Sequence, residues 1–119
     1  MADILVVDDD EVIRDTLCEL LSGEYDCQTA DSAETALTKL ETQPFDVVLT
    51  DISMPGLNGM ELLNRVRQSY PGTSVIIISG LTDEEQARNL IELGASDYLL
   101  KPFRLEVVEN SVRRAITGH

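Results

Sequence analysis

The residues of this chain best suited to chemistry stand at the ends of short apolar runs. Ile4-Leu5-Val6-Val7 runs into Asp8-Asp9, Val47-Val48-Leu49-Thr50 into Asp51, Val75-Ile76-Ile77-Ile78 into Ser79, and Tyr98-Leu99-Leu100 into Lys101. Three carboxylates, a hydroxyl and an ammonium are the groups that bind a hard divalent cation and accept and hold a phosphoryl group. Taken singly, each Asp reads as a turn or capping residue, Ser79 as a helix-initiating hydroxyl and Lys101 as a surface lysine. Convergence changes that reading. If the four runs are parallel strands of one sheet, all four endings meet at one edge.

The intervening segments supply the helices that such a sheet requires. Val12, Ile13, Leu17, Leu20 and Leu21 recur at helical spacing, with Gly23 read as a left-handed cap. A short strand at about Cys27 to Ala30 precedes Ser32, a helix cap, and the inward face Ala33, Ala36, Leu37 and Leu40, closed by Pro44. A loop over 52–58 with Pro55 and Gly56 leads to Met60, Leu62, Leu63 and Val66, a third helix ending near Pro71-Gly72. Thr82-Asp83-Glu84-Glu85 is a capping box opening a fourth helix, with Ala87, Leu90 and Ile91 inward and Gly94 ending it. Leu105, Val108, Val112, Ala115 and Ile116 make the last helix, with Val107 beside the stripe.

Five strands alternating with five helices imply an α/β fold, a parallel sheet with helices on both faces. The runs ILVV, VVL and VIII lack polar alternation, as strands buried on both sides do. Right-handed crossovers make 2-1-3-4-5 a common strand order, with the first and third strands adjacent and ligands bound at their carboxyl ends. The 119 residues suit one domain over 1–119, without linker or low-complexity segment. A net charge of -13 argues against direct grip on nucleic acid or an anionic membrane. No signal peptide or membrane-length apolar run stands out. Cys18 and Cys27 match neither a zinc nor a CxxC pattern and read as small core thiols in a reducing compartment, so a cytoplasmic location is expected. His119 supports no metal or acid-base argument.

Neighbouring strands about 4.8 Å apart would bring Asp8, Asp9 and Asp51 within a few ångström of one another. Each pair would repel by about 4 kcal/mol at an effective dielectric of 20. A divalent cation resolves that repulsion. Few, rigid oxygen ligands suit Mg²⁺ or Mn²⁺ better than Ca²⁺, and with no His or Cys nearby zinc is disfavoured. Lys101 beside the acids can neutralise charge and hold a phosphoryl oxygen, and Ser79 can donate to the same group.

The segments ILVVDDD, VVLTDISMPGLNG, VIIISG and GASDYLLKPF, in this order and spacing, resemble the receiver domain of two-component response regulators from Asp3 to about Ile116. The resemblance implies that Asp51 is the phosphoryl acceptor, that Asp9, Asp51 and the backbone carbonyl of Ser53 ligate Mg²⁺, and that Asp8 acts mainly through water. It implies a phosphohistidine partner, a sensor histidine kinase or histidine phosphotransfer protein. The domain would be no separate enzyme but would catalyse its own phosphorylation and slow autodephosphorylation. It also implies a cis peptide before Pro102 and a switch coupling Ser79 to Tyr98, which alters the surface of the fourth helix, fifth strand and fifth helix for an output domain, a partner or a second copy. Arg88, Asp97 and Arg113 fall on or near that face as candidates for salt bridges between copies. Ser53 and Leu81 occupy variable positions that bear on phosphoryl lifetime, and Asn58 replaces a common Asp.

Three rival readings fit less well. A flavodoxin-type FMN module needs a hydroxyl- and glycine-rich phosphate loop, where this chain has Asp8-Asp9-Asp10-Glu11. An aspartyl-nucleophile phosphohydrolase would carry a second acid shortly after Asp51, where Ile52-Ser53 stand, and a cap insertion. A pseudo-receiver would not need the full set of acids, Ser79 and Lys101.

Overall fold

The computed structural model describes residues 2–52, 59–80 and 84–117. Its elements run β1 (Asp3–Val7), α1 (Glu11–Leu21), β2 (Asp26–Ala30), α2 (Ala33–Thr42), β3 (Val47–Asp51), α3 (Gly59–Ser69), β4 (Ser74–Ser79), α4 (Glu84–Glu92), β5 (Asp97–Leu100) and α5 (Leu105–Thr117). All four strand pairings are parallel and the order is β2-β1-β3-β4-β5, as the alternation predicts.

Strand residues point alternately to two apolar cores. Leu5, Val7, Val48, Val75 and Ile77 pack with Ala33, Ala36 and Leu40 of α2, Leu62, Leu63 and Val66 of α3, and Leu90 of α4. Ile4, Val6, Val47, Leu49, Ile76 and Ile78 face the other way, onto Leu17 and Leu21 of α1 and Val108 and Val112 of α5. The uninterrupted apolar strands are therefore those covered on both faces, β1, β3 and β4. The edge strand β2 is polar and only partly buried.

Helix ends depart from the sequence expectations in instructive ways. Gly23 takes no left-handed conformation. Instead α1 ends on Ser22 in helical geometry, and its last turn is closed by Tyr25 N–H donating to the Leu21 carbonyl at 2.9 Å. Gly94 does terminate α4 with φ +111°. Ser32 caps α2 by accepting from Thr35 N–H. The capping residues Thr82 and Asp83 lie outside the described residues.

Three positions assigned inward are exposed: Val12 (72%), Ile91 (46%) and Leu105 (44%). Val12 lies about 140° and about 180° round α1 from the buried Leu17 and Leu21, off the face that packs on the sheet, and Leu105 stands in the first turn of α5. On α4, Leu90 takes the buried position and Ile91, one residue or about 100° further round, turns outward.

Candidate functional site

The carboxyl ends of β1, β3, β4 and β5 carry the predicted polar residues, and backbone hydrogen bonds fix each ending to its neighbour. Asp8 N–H donates to the Ala30 carbonyl at 3.1 Å, Ile52 N–H to that of Ile78 at 3.1 Å, and Lys101 N–H to that of Ser79 at 2.7 Å. Asp51 lies opposite Ile78 in the β3–β4 register. The strands thus deliver the site as one rigid edge.

Asp8, Asp9 and Asp51 each offer a carboxylate oxygen within 4.8 Å of the others. Asp8 is buried, Asp51 nearly so, and Asp9 is the exposed member. Lys101 reaches across from the end of β5, with Nζ 2.9 Å from Asp51 Oδ2 and 3.5 Å from Asp8 Oδ2. Its bond to Pro102 is cis, as expected. Hard oxygen donors without nitrogen or sulfur suit Mg²⁺, and one ammonium against three carboxylates leaves the negative charge a dication matches.

The titration behaviour reflects this crowding. Burial pushes the Asp8 carboxyl above the usual carboxylate range; the Asp10 N–H and Lys101 oppose that rise, and the charge of Asp51 adds to it. For Lys101, burial pulls downward, but the hydrogen bond and charge of Asp51, followed by those of Asp8, prevail and hold the ammonium above the ordinary lysine value.

Sequence reasoning missed how the β1–α1 turn is held. Asp10, read only as part of an acidic run, caps α1: its Oδ1 accepts from Val12 N–H at 2.9 Å and Ile13 N–H at 3.4 Å. Its own N–H donates to Asp8 Oδ1 at 2.9 Å. An Asp directly before a periodic apolar stripe is an N-cap signal and marks this position. Arg14, four residues further on, donates from Nη1 to the Asp8 carbonyl at 2.8 Å.

Ser79 is buried at the end of β4 and is hydrogen-bonded or otherwise engaged within the chain, as is Tyr98. Tyr98 pairs in register with Ile77, and Ser79 with Leu100, so the ring and the hydroxyl share a sheet face two residues apart. Tyr98 packs, partly buried, against the core of α2, α3 and α4. Asp97 is occupied inside the chain: Ser111 Oγ donates to its Oδ2 at 2.6 Å, Arg114 Nη2 reaches the same oxygen at 2.9 Å, and Tyr98 N–H donates to its Oδ1 at 2.8 Å. Arg113 contacts Asn110, and Arg88 is exposed. Ser53, Asn58, Leu81 and His119 lie outside the described residues. Cys18 and Cys27 are free and half-buried, and burial, with Cys18 adjacent, raises the Cys27 thiol well above its usual range.

The family described as "Response regulator receiver domain" matches residues 4–113. This chain belongs to that family. The receiver is 36% identical over 118 residues to the response regulator protein FleR of Pseudomonas aeruginosa, covering 98% of this chain and 25% of that protein. It is 40% identical over 115 residues to the DNA-binding transcriptional regulator NtrC of Klebsiella pneumoniae, covering 96% and 24%. It thus spans about a quarter of the length of these curated relatives. A receiver domain protein from Clostridium thermocellum superposes with a TM-score of 0.92 at 32% identity, over 99% of this chain and 96% of that one. NtrX from Brucella abortus gives 0.92 at 36%, over 99% and 28%. Membership makes this a regulatory domain of the two-component type, a class that uses Mg²⁺ and takes phosphoryl groups from histidine kinases. No helix among the described residues is long and apolar enough to cross a membrane.

Proposed function

We propose that this receiver is a phosphorylation-operated switch in which Asp51 accepts a phosphoryl group from a phosphohistidine on a sensor kinase or phosphotransfer protein in the cytoplasm. The observation that carries the reading is the place of Asp51: a strand-end carboxylate in a cluster of three, with Lys101 Nζ at 2.9 Å. In the transfer, an Asp51 oxygen forms the new P–O bond as the donor's P–N bond breaks and the imidazole nitrogen keeps the electron pair. Asp9, Asp51 and the Ser53 carbonyl would hold Mg²⁺, with Asp8 acting mainly through water, and the bound cation would supply charge that offsets the acids and the entering oxyanions. Mn²⁺ suits the same donors.

Lys101 orients one phosphoryl oxygen as a point-charge donor, and the Ser79 hydroxyl turns to donate to another. Tyr98, on the same sheet face, relays that movement to α4, β5 and α5. This is a population shift, since the phosphoryl group makes those hydrogen bonds in only one of two states. Ile91, Leu93, Leu100, Leu105 and Val107 supply exposed apolar surface on and beside those elements, suited to an output domain or a second copy. The name of NtrC supports a gene-regulatory output in the protein that carries this single receiver domain. Attack of water on the acyl phosphate at the same site resets the switch slowly.

Intact-mass spectrometry after incubation with acetyl phosphate and Mg²⁺ tests this. One added phosphoryl group is expected, absent from Asp51→Asn and from a metal-free control. A folded, Mg²⁺-binding wild type that gains no mass would overturn the acceptor reading in favour of a partner that recognises the unmodified domain.

A further inference from the structure

We infer that Arg14 is a positioning residue for the cation site, an inference that rests on the proposed function. Every polar atom of Asp8 is engaged: its N–H by the Ala30 carbonyl, Oδ1 by the Asp10 N–H, Oδ2 by Lys101, and its carbonyl by Arg14 Nη1 at 2.8 Å. That carbonyl belongs to the peptide joining Asp8 to Asp9. Because the peptide is planar, fixing its oxygen fixes the plane from the Asp8 Cα to the Asp9 Cα, and with the Asp10 N–H held by Asp8 Oδ1 the peptide on the other side of Asp9 is held too, so the two together set the direction in which the Asp9 side chain leaves the backbone. Asp9 is the exposed acid of the trio, the one least constrained by surrounding packing. Arg14 thereby sets the aim of a ligand it does not have to touch.

The location of the guanidinium supports a role beyond helix stability. Helical side chains lean toward the N-terminus, which lets a residue in α1 reach back past the cap to Asp8. That end of a helix is electropositive and disfavours a cation. The half-buried Arg14 is held there nonetheless, by a charge-assisted hydrogen bond to the backbone beside the acid cluster.

The sign of the effect separates positioning from simple charge. Removing a positive group near a dication site strengthens cation binding by Coulomb's law, whereas loosening Asp9 weakens it. Calorimetric titration with MgCl₂, alongside acetyl phosphate labelling across a range of Mg²⁺ concentrations, reads the difference. Arg14→Met is expected to weaken Mg²⁺ binding by about tenfold, as losses of ligand-orienting partners do, with the labelling rate recovering at saturating Mg²⁺. Arg14→Lys, which keeps a donor, is expected to recover to within about threefold of wild type. Arg14→Leu, which likewise removes every donor, gives the same comparison if the Met variant does not fold. Mg²⁺ affinity in Arg14→Met equal to or tighter than wild type, or equal losses in the Met and Lys variants, overturns the inference alone. A folded wild type that neither binds Mg²⁺ nor gains mass strikes down the proposed function and this inference with it.

Discussion

Replacing Lys101 by Met removes the cation that lies among the strand-end acids while keeping much of the side-chain volume. At an effective dielectric of about 20, the contacts at 2.9 and 3.5 Å correspond to about 6 and about 5 kcal/mol of attraction. Dehydration of the three groups cancels most of that. Removing one partner of a buried pair typically costs about 3–5 kcal/mol. The side chains of Lys101, Asp51 and Asp8 are 25%, 12% and 3% exposed, so solvent screening brings the expectation to about 2 kcal/mol in metal-free buffer at pH 7.5. For a domain of this size that lowers Tm by roughly 10 °C. The loss has a pH signature. Lys101 titrates above its ordinary value, so its contribution is full below the ordinary lysine pKa and disappears as pH climbs through the raised folded value, where wild type converges on the variant. On the acid side the difference shrinks as the carboxylates protonate, Asp8 earlier than an ordinary Asp because its pKa is raised. Urea denaturation followed by circular dichroism, at pH 4 and 7.5, measures both, and an Asp51→Asn background should reduce the cost by about half. An equal cost at both pH values and in both backgrounds would refute the electrostatic reasoning and assign the effect to packing of the lysine stem.

Two further outcomes follow from the same geometry. Burial raises the Asp8 pKa, so the folded state favours its protonated form and ionisation costs stability as pH rises from the ordinary carboxylate value through the folded one. Asp8→Asn should therefore stabilise the metal-free protein at neutral pH while weakening Mg²⁺ binding, and a lower Tm in EDTA would contradict this. Gly94 holds φ +111°, and a Cβ there would stand 2.5 Å from Arg67 Nε and 2.9 Å from its Cδ. Gly94→Ala should cost about 2 kcal/mol in urea denaturation, and adding Arg67→Ala should return only part of it, because the backbone conformation stays strained. Full recovery in the double variant would put the whole cost in the side-chain contact.

The sheet was legible because its signal is the simplest a chain can carry. Runs such as Val75-Ile76-Ile77-Ile78 have no polar face, and their shortness and β-branched composition point to a strand covered on both sides rather than to a buried helix. The site was legible for the same reason, since each run stops on a polar residue where the sheet stops. Exposure of helix residues was harder to read. Val12 is as apolar as Ile13, yet it stands about 100° round the helix from it, off the Ile13, Leu17 and Leu21 stripe that packs on the sheet. The Gly23 cap failed because Gly permits a left-handed turn without requiring one, and the Tyr25-to-Leu21 hydrogen bond closes the helix instead. Asp97 illustrates a different gap. An exposed-looking charge at a strand start turned out to be bound by Ser111 and Arg114, fourteen and seventeen residues away, a pairing visible only once α5 lies against β5.

The charges at the strand ends give the proposed switch its physical logic. Asp8, Asp9 and Asp51 carry three negative charges and Lys101 one positive, which leaves an excess of two that a divalent cation matches. Burial is the main cause of the raised Asp8 pKa, and the charge of Asp51 adds to it. A phosphoryl group on Asp51 would bring between one and two further negative charges and new acceptor oxygens. Those oxygens would compete with the carboxylates for Lys101, now held at 2.9 Å by Asp51, and would offer the Ser79 hydroxyl a charged acceptor. Both residues sit at strand ends whose backbones are joined through the Lys101 N–H to Ser79 carbonyl hydrogen bond. In the proposed switch the sheet would fix where the new charge arrives, and the response would come from side chains and from the exposed elements beyond them. Tyr98 is well placed for that response: its side chain packs against the core beneath α4, and its backbone N–H is bound to Asp97, which α5 in turn holds.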